Sequence, residues 1–91
     1  AKDQKQDACI KVLGAGIYNA ALEDVCKFNG GVKEKLLAMY NEAGCKMIVP
    51  QKTVERIAAD VLLDTKRRYK AMGHQAFCEG NIDAYNALQE E

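Results

Sequence analysis

The sequence predicts an all-α protein: a compact bundle of three main helices plus a short C-terminal helix, stapled by two disulfides. Three observations carry this. Apolar residues recur at three- and four-residue steps over most of the chain, the helical period. No segment alternates with the two-residue period of a half-buried strand, and Met47-Ile48-Val49 is β-prone but has no partner run. The four cysteines, Cys9, Cys26, Cys45 and Cys78, are even in number and widely spaced in a 91-residue chain, which reads as a disulfide framework. A chain of this length makes one domain, residues 1–91, with a thin core.

The first helix is expected over residues 5–28, with Cys9, Val12, Leu13, Gly16, Ile17, Ala20 and Ala21 on one stripe that continues through Val25 and Phe28. Gly14 and Gly16 weaken its middle and mark either a kink or a close helix crossing. Asn29-Gly30-Gly31 supplies the turn. The second helix is expected over 32–43, lined by Val32, Leu36, Met39, Tyr40 and Ala43 and widened by Leu37, with Gly44 as its cap. Residues 46–49 form an apolar connector. Pro50 suits the first turn of a third helix, with Thr53 as a rival cap. Its face of Val54, Ile57, Ala58, Val61, Leu62, Thr65, Tyr69 and Met72 is the clearest periodic signal in the chain. Gly73 breaks it, residues 74–79 add a further helical turn, and Gly80-Asn81 reads as a second break followed by a cap. A short helix from Ile82 to Leu88 then closes the chain, with Gln89-Glu90-Glu91 as a solvated end.

Helix lengths order the cysteines. Residues 9–28 span about 28 Å and residues 50–72 about 33 Å at roughly 1.5 Å per residue. An antiparallel return of the second helix carries Cys45 toward Cys9, and the third helix carries Cys78 toward Cys26. Cys9–Cys45 with Cys26–Cys78 is the preferred pairing. Cys26–Cys45 with Cys9–Cys78 is an alternative. Cys9–Cys26 with Cys45–Cys78 ranks last, because one unbroken helix holds its first pair apart beyond the ~7 Å reach of a bridge. Two bridges imply an oxidising compartment: the periplasm first, an extracellular fluid next. The polar start Ala1-Lys2-Asp3-Gln4 fits the end left by a signal peptidase.

Residue types point away from catalysis. Serine is absent, so no Ser-His-Asp triad exists. His74, the only histidine, stands one helical turn before Cys78, a spacing that suits two metal ligands, but two ligands are not a site and the cysteine is expected in a bridge. The cysteines are all far apart in sequence, with none of the close pairs of a zinc site. Gly14-Ala15-Gly16 follows no strand, and Asn19 stands where a nucleotide loop needs glycine. No enzyme activity, cofactor or metal is expected.

The 13 basic and 13 acidic residues balance to zero net charge, which argues against general nucleic-acid binding. No apolar run is long enough to insert in a membrane. Lys66-Arg67-Arg68-Tyr69-Lys70 is the one dense basic stretch. Its ordinary role is a solvated helix face; its functional role is a ridge of Lys66, Arg67 and Lys70 that docks an acidic protein partner. Tyr40 joins this contact set if it is exposed. A homodimer through an apolar stripe, with Met39 or Met47 contributing, is a second kind of partner.

Cys9-Ile10 on an N-terminal helix, followed by Cys26, Cys45 and Cys78 on a small helical body, resembles the disulfide-bonded helical proteins of the Gram-negative periplasm. Two groups share this shape: the immunity proteins against type VI secreted cell-wall amidases, and the HdeA-like acid-stress chaperones. The cysteine spacing and the absence of tryptophan depart from the second group. The resemblance to the first implies a non-enzymatic inhibitor that blocks a secreted cell-wall-targeting toxin. An acid-stress chaperone and a carrier of a small apolar ligand are the alternatives. A cavity of about 300 Å³ or more would favour the carrier.

Overall fold

The computed structural model describes residues 2–90, and of Lys2, Asp3 and Glu90 only the backbone. The reading of Ala1 as a processed end, and the last residue of the expected solvated tail, lie outside the described residues. Five helices follow in order: α1 (Lys2–Val25), α2 (Val32–Glu42), α3 (Cys45–Ile48), α4 (Gln51–Met72) and α5 (His74–Glu90). The described residues contain no strand.

α1 is the axis of the molecule. It packs against α2 and α4 along most of its length and also touches α3 and α5, while α2 and α4 scarcely meet. It runs unbroken through Gly14 and Gly16, so the kink is absent; a Cβ on Gly16 would make an ordinary contact with the Leu36 Cβ of α2 at 3.6 Å, and one on Gly14 would lie 4.0 Å from Val61 of α4. α2 returns antiparallel to α1, and α4 runs parallel to it. The start of α4 packs Val54 and Ile57 near Cys9, and its end packs Tyr69 near Cys26. The body measures 41 × 27 × 18 Å. Its thinnest dimension therefore holds only two layers of helices.

Both expected bridges are present. Cys9–Cys45 and Cys26–Cys78 each join Cα atoms 5.6 Å apart. The core is correspondingly double. Around the first bridge lie Leu13, Tyr40 and Val49, with Ile10, Ile17, Ile48, Val54 and Ile57 packed on them. Around the second lie Leu22, Val32, Leu36, Phe77 and Tyr85, with Tyr18, Phe28 and Tyr69 against them.

Four expectations change. α1 ends at Val25, not at residue 28, because the backbone turns at Lys27 (φ 62°), which swings Phe28 out of the helix and onto the ring of Tyr85, 4.9 Å between centroids. Where a short connector is expected over residues 46–49, Cys45–Ile48 form a helical turn. Pro50 stands one position before the first turn of α4 and not inside it, as the N-cap residue with extended backbone at φ −62°, ψ 150°, and the rival cap Thr53 lies within the helix. The fourth change is the largest. Gly80-Asn81 does not break the chain, and α5 is one 17-residue helix reaching Glu90. Asn81 serves the tertiary structure instead of a cap: its Oδ1 accepts from the Tyr18 hydroxyl at 2.5 Å, and its Nδ2 donates to the Phe77 carbonyl at 2.7 Å. Gly73, at φ 85° and ψ 160°, supplies the expected break between α4 and α5. That backbone region is one that only glycine adopts without strain.

Candidate functional site

The near-absence of contact between α2 and α4 leaves a groove above α1 of about 600 Å³ that is open to solvent on one side. Its floor is α1, from Gly16 and Ile17 through Ala20 and Ala21 to Asp24 and Val25. One wall is Lys33 and Leu37 of α2, and the other runs from Ala58 and Leu62 to Lys66 and Tyr69 of α4. Small side chains on the floor give the groove its depth, and leucines on the walls give it an apolar lining. Leu37 is 38% exposed and Leu62 50%. Both belong to helix faces that a two-layer body has no third layer to cover.

The two ends of the groove differ. Near Gly16 the lining is Ile17, Leu37 and Ala58, without charge. Near Val25 it carries Asp24, Lys33 and Lys66. Among the described residues one ion pair forms, Arg68 to Asp64 at 3.0 Å, elsewhere on α4. Among those residues, the two lysines and the aspartate of the groove therefore hold their charges free at the rim.

The expected contact residues distribute unevenly over this site. Lys66 lines the groove. Arg67 and Lys70 are exposed on the same helix but outside the lining. Tyr40 is removed from the contact set, because it is 6% exposed in the cluster around Cys9–Cys45. Burial pushes its hydroxyl above its ordinary value of 10.0, and that hydroxyl has no hydrogen-bond partner among the described residues. Met39 and Met47, named for a homodimer, are 45% and 92% exposed. Sequence reasoning missed Lys33, Leu37 and Leu62 as site residues. The signal was present in the width of two apolar faces, since Leu37 widens one and Leu62 extends the other beyond what α1 alone can cover.

His74 and Cys78 do not form a ligand pair. Cys78 is in its bridge, and His74 Nδ1 lies 2.9 Å from the Tyr69 hydroxyl at the surface. Among the described residues no group of three or more His, Cys, Asp or Glu side chains converges on one point. No described helix is long and apolar enough to cross a membrane. The paired cysteines suit an oxidising, non-cytoplasmic environment, with no free thiol among the described residues. No protein-family model, no curated protein and no solved structure matches this chain.

Proposed function

We propose that this domain works without catalysis, by binding another protein, and that the α1–α2–α4 groove receives an amphipathic helical segment of that partner. The open form of the groove carries the reading. Small-molecule pockets bury roughly 70–90% of their ligand. An open trough leaves one side of its occupant in water, which suits a helix with an apolar and a polar face. The floor from Gly16 to Val25 is about 13.5 Å long, or two and a half turns, enough for apolar anchors at i, i+3 or i+4, and i+7. Two bridges tie α1, the floor, and the turn after it to α3 and α5, the elements that adjoin the walls in the chain, which lowers the ordering cost of binding. The specific form of the reading is an inhibitor or immunity protein of the periplasm that occludes a secreted cell-wall-targeting toxin; its support is the small stapled helical body.

A second reading, the carrier of a small apolar ligand, is favoured by the volume of the groove, about 600 Å³, which meets the criterion of about 300 Å³ or more for such a site. Pull-down from the envelope fraction of the source cells separates the two. The unmodified protein is expected to capture one enzyme at a one-to-one ratio, and Leu62→Asp, at a half-exposed position, is expected to lose it while keeping its helical circular dichroism. Equal capture by both proteins would overturn the groove as the binding site. A co-purified lipid with no protein would give the site to the carrier reading.

A further inference from the structure

The charge at one end of the groove specifies its occupant further, on the premise that the groove binds a helix. Lys33 and Lys66 stand on opposite walls at the Val25 end, neither in an ion pair among the described residues. Lys27 lies two residues past the end of α1, and Lys70 lies one turn past Lys66 on α4; both are exposed. Four cations thus belong to the last turns of α4, the turn after α1 and the first turn of α2, and two of them, Lys33 and Lys66, line the groove. Against them stands Asp24 on the floor. Glu23 adds a second negative charge, held in place by accepting at its Oε2 from two neutral donors, the Lys33 backbone N–H at 3.0 Å and the Tyr85 hydroxyl at 2.9 Å. Glu34 and Arg67, each one residue on from a rim lysine and about 100° round its helix, offset one another. The local balance is positive on a molecule whose net charge is zero.

We infer that the groove takes an apolar helix that ends in carboxylates, with those carboxylates lying over Lys33 and Lys66. The uncharged end near Leu37 and Ala58 receives apolar side chains only, so the groove also sets which way the segment lies. Rim ion pairs contribute modestly to affinity and strongly to orientation.

The test uses two synthetic amphipathic peptides of about 12 residues, a length that fills the floor with a short overhang. Both carry the same leucine stripe; one ends in two glutamates and the other in two glutamines. Fluorescence anisotropy with the full chain is expected to show the glutamate peptide binding about five-fold tighter at low salt, the scale of two exposed ion pairs. The gap is expected to narrow at physiological ionic strength and to vanish in Lys33→Gln/Lys66→Gln. Equal binding of both peptides, abolished by Leu62→Asp, would overturn the charge inference and leave the groove reading intact. Binding of neither peptide would overturn both. A concentration-dependent dimer dissolved by Leu62→Asp would also overturn the inference, because the occupant would then be a second copy of the chain.

Discussion

The two ends of the bundle are each built around a disulfide, yet they are held by different chemistry. At the Cys9–Cys45 end the bridge is itself core: the cysteines are 4% and 1% exposed, their neighbours are mainly aliphatic, and the buried hydroxyl of Tyr40 bonds to no described protein group. At the Cys26–Cys78 end the bridge is half-buried, and aromatic and polar contacts do the holding. The Tyr69 ring meets Phe77 edge-on at 5.5 Å. The buried Tyr85 hydroxyl accepts from the Gly30 N–H at 2.7 Å and donates to Glu23, while Lys35 Nζ donates to the Leu88 carbonyl at 2.8 Å. The difference teaches that equal crosslinks need not make equal contributions. A bridge inside the core is a packing element as well as a tether, whereas a bridge beside a bonded network is mainly a tether.

Removing the bridges is the strongest test of that contrast. They close sequence separations of 36 and 52. Chain entropy gives nearly the same stabilisation for both, about 4 kcal/mol each. Cys9→Ala/Cys45→Ala is expected to cost more than Cys26→Ala/Cys78→Ala in urea unfolding, because the deep pair also leaves a cavity. Equal losses would mean that the surrounding core plays no part in the difference.

The hydroxyls sharpen the comparison by sign. Tyr85→Phe strands the Gly30 N–H and removes a donor from Glu23, at an expected cost of about 1–3 kcal/mol. Tyr40→Phe removes a buried hydroxyl that bonds to no described protein group and is expected to be neutral or stabilising by up to about 1 kcal/mol. A loss at Tyr40 comparable to that at Tyr85 would show a bridging water there.

The smallest effect is alkaline. Burial first, then the hydrogen bond to Glu23, raises Tyr85 above its ordinary 10.0, and burial raises Tyr40. A raised folded value keeps the proton on in the native state after the unfolded chain has lost it. The stability these groups contribute is whole below about pH 10 and declines as pH rises beyond it. Unfolding midpoints measured above about pH 10 are expected to fall less steeply in Tyr85→Phe than in the unmodified protein.

Much of this fold is legible in the residues. Helical periodicity places α1, α2 and α4, and helix length alone ranks the cysteine pairings correctly. What is not legible depends on partners distant in sequence. Gly80-Asn81 has the local form of a break and cap, but Asn81 finds the Tyr18 hydroxyl 63 residues away and stays inside α5. Phe28 extends the α1 stripe by spacing, yet a left-handed turn at Lys27 sends it to Tyr85. The groove is hidden for a similar reason. Gly16, Ala20, Leu37 and Leu62 each read as core, and only the separation of α2 from α4 turns them into an uncovered surface. Tyr40 shows the reverse, a polar-tipped residue that the fold keeps inside.

The straight run of α1 through its two glycines also bears on the order in which the protein oxidises. Of the four cysteines, Cys9 and Cys26 emerge first during synthesis, and for a time they are the nearest partners for one another. Once α1 is helical, its rise holds the two thiols roughly 25 Å apart, so the earliest wrong bridge is out of reach. Cys45 arrives next and meets Cys9 when α2 folds back. Cys26 waits until Cys78 appears near the start of α5. A chain oxidised from its N-terminal side thus meets its correct partners in sequence. A mutation that breaks α1 at Gly14–Gly16 would open the route to a Cys9–Cys26 trap that only disulfide exchange could resolve.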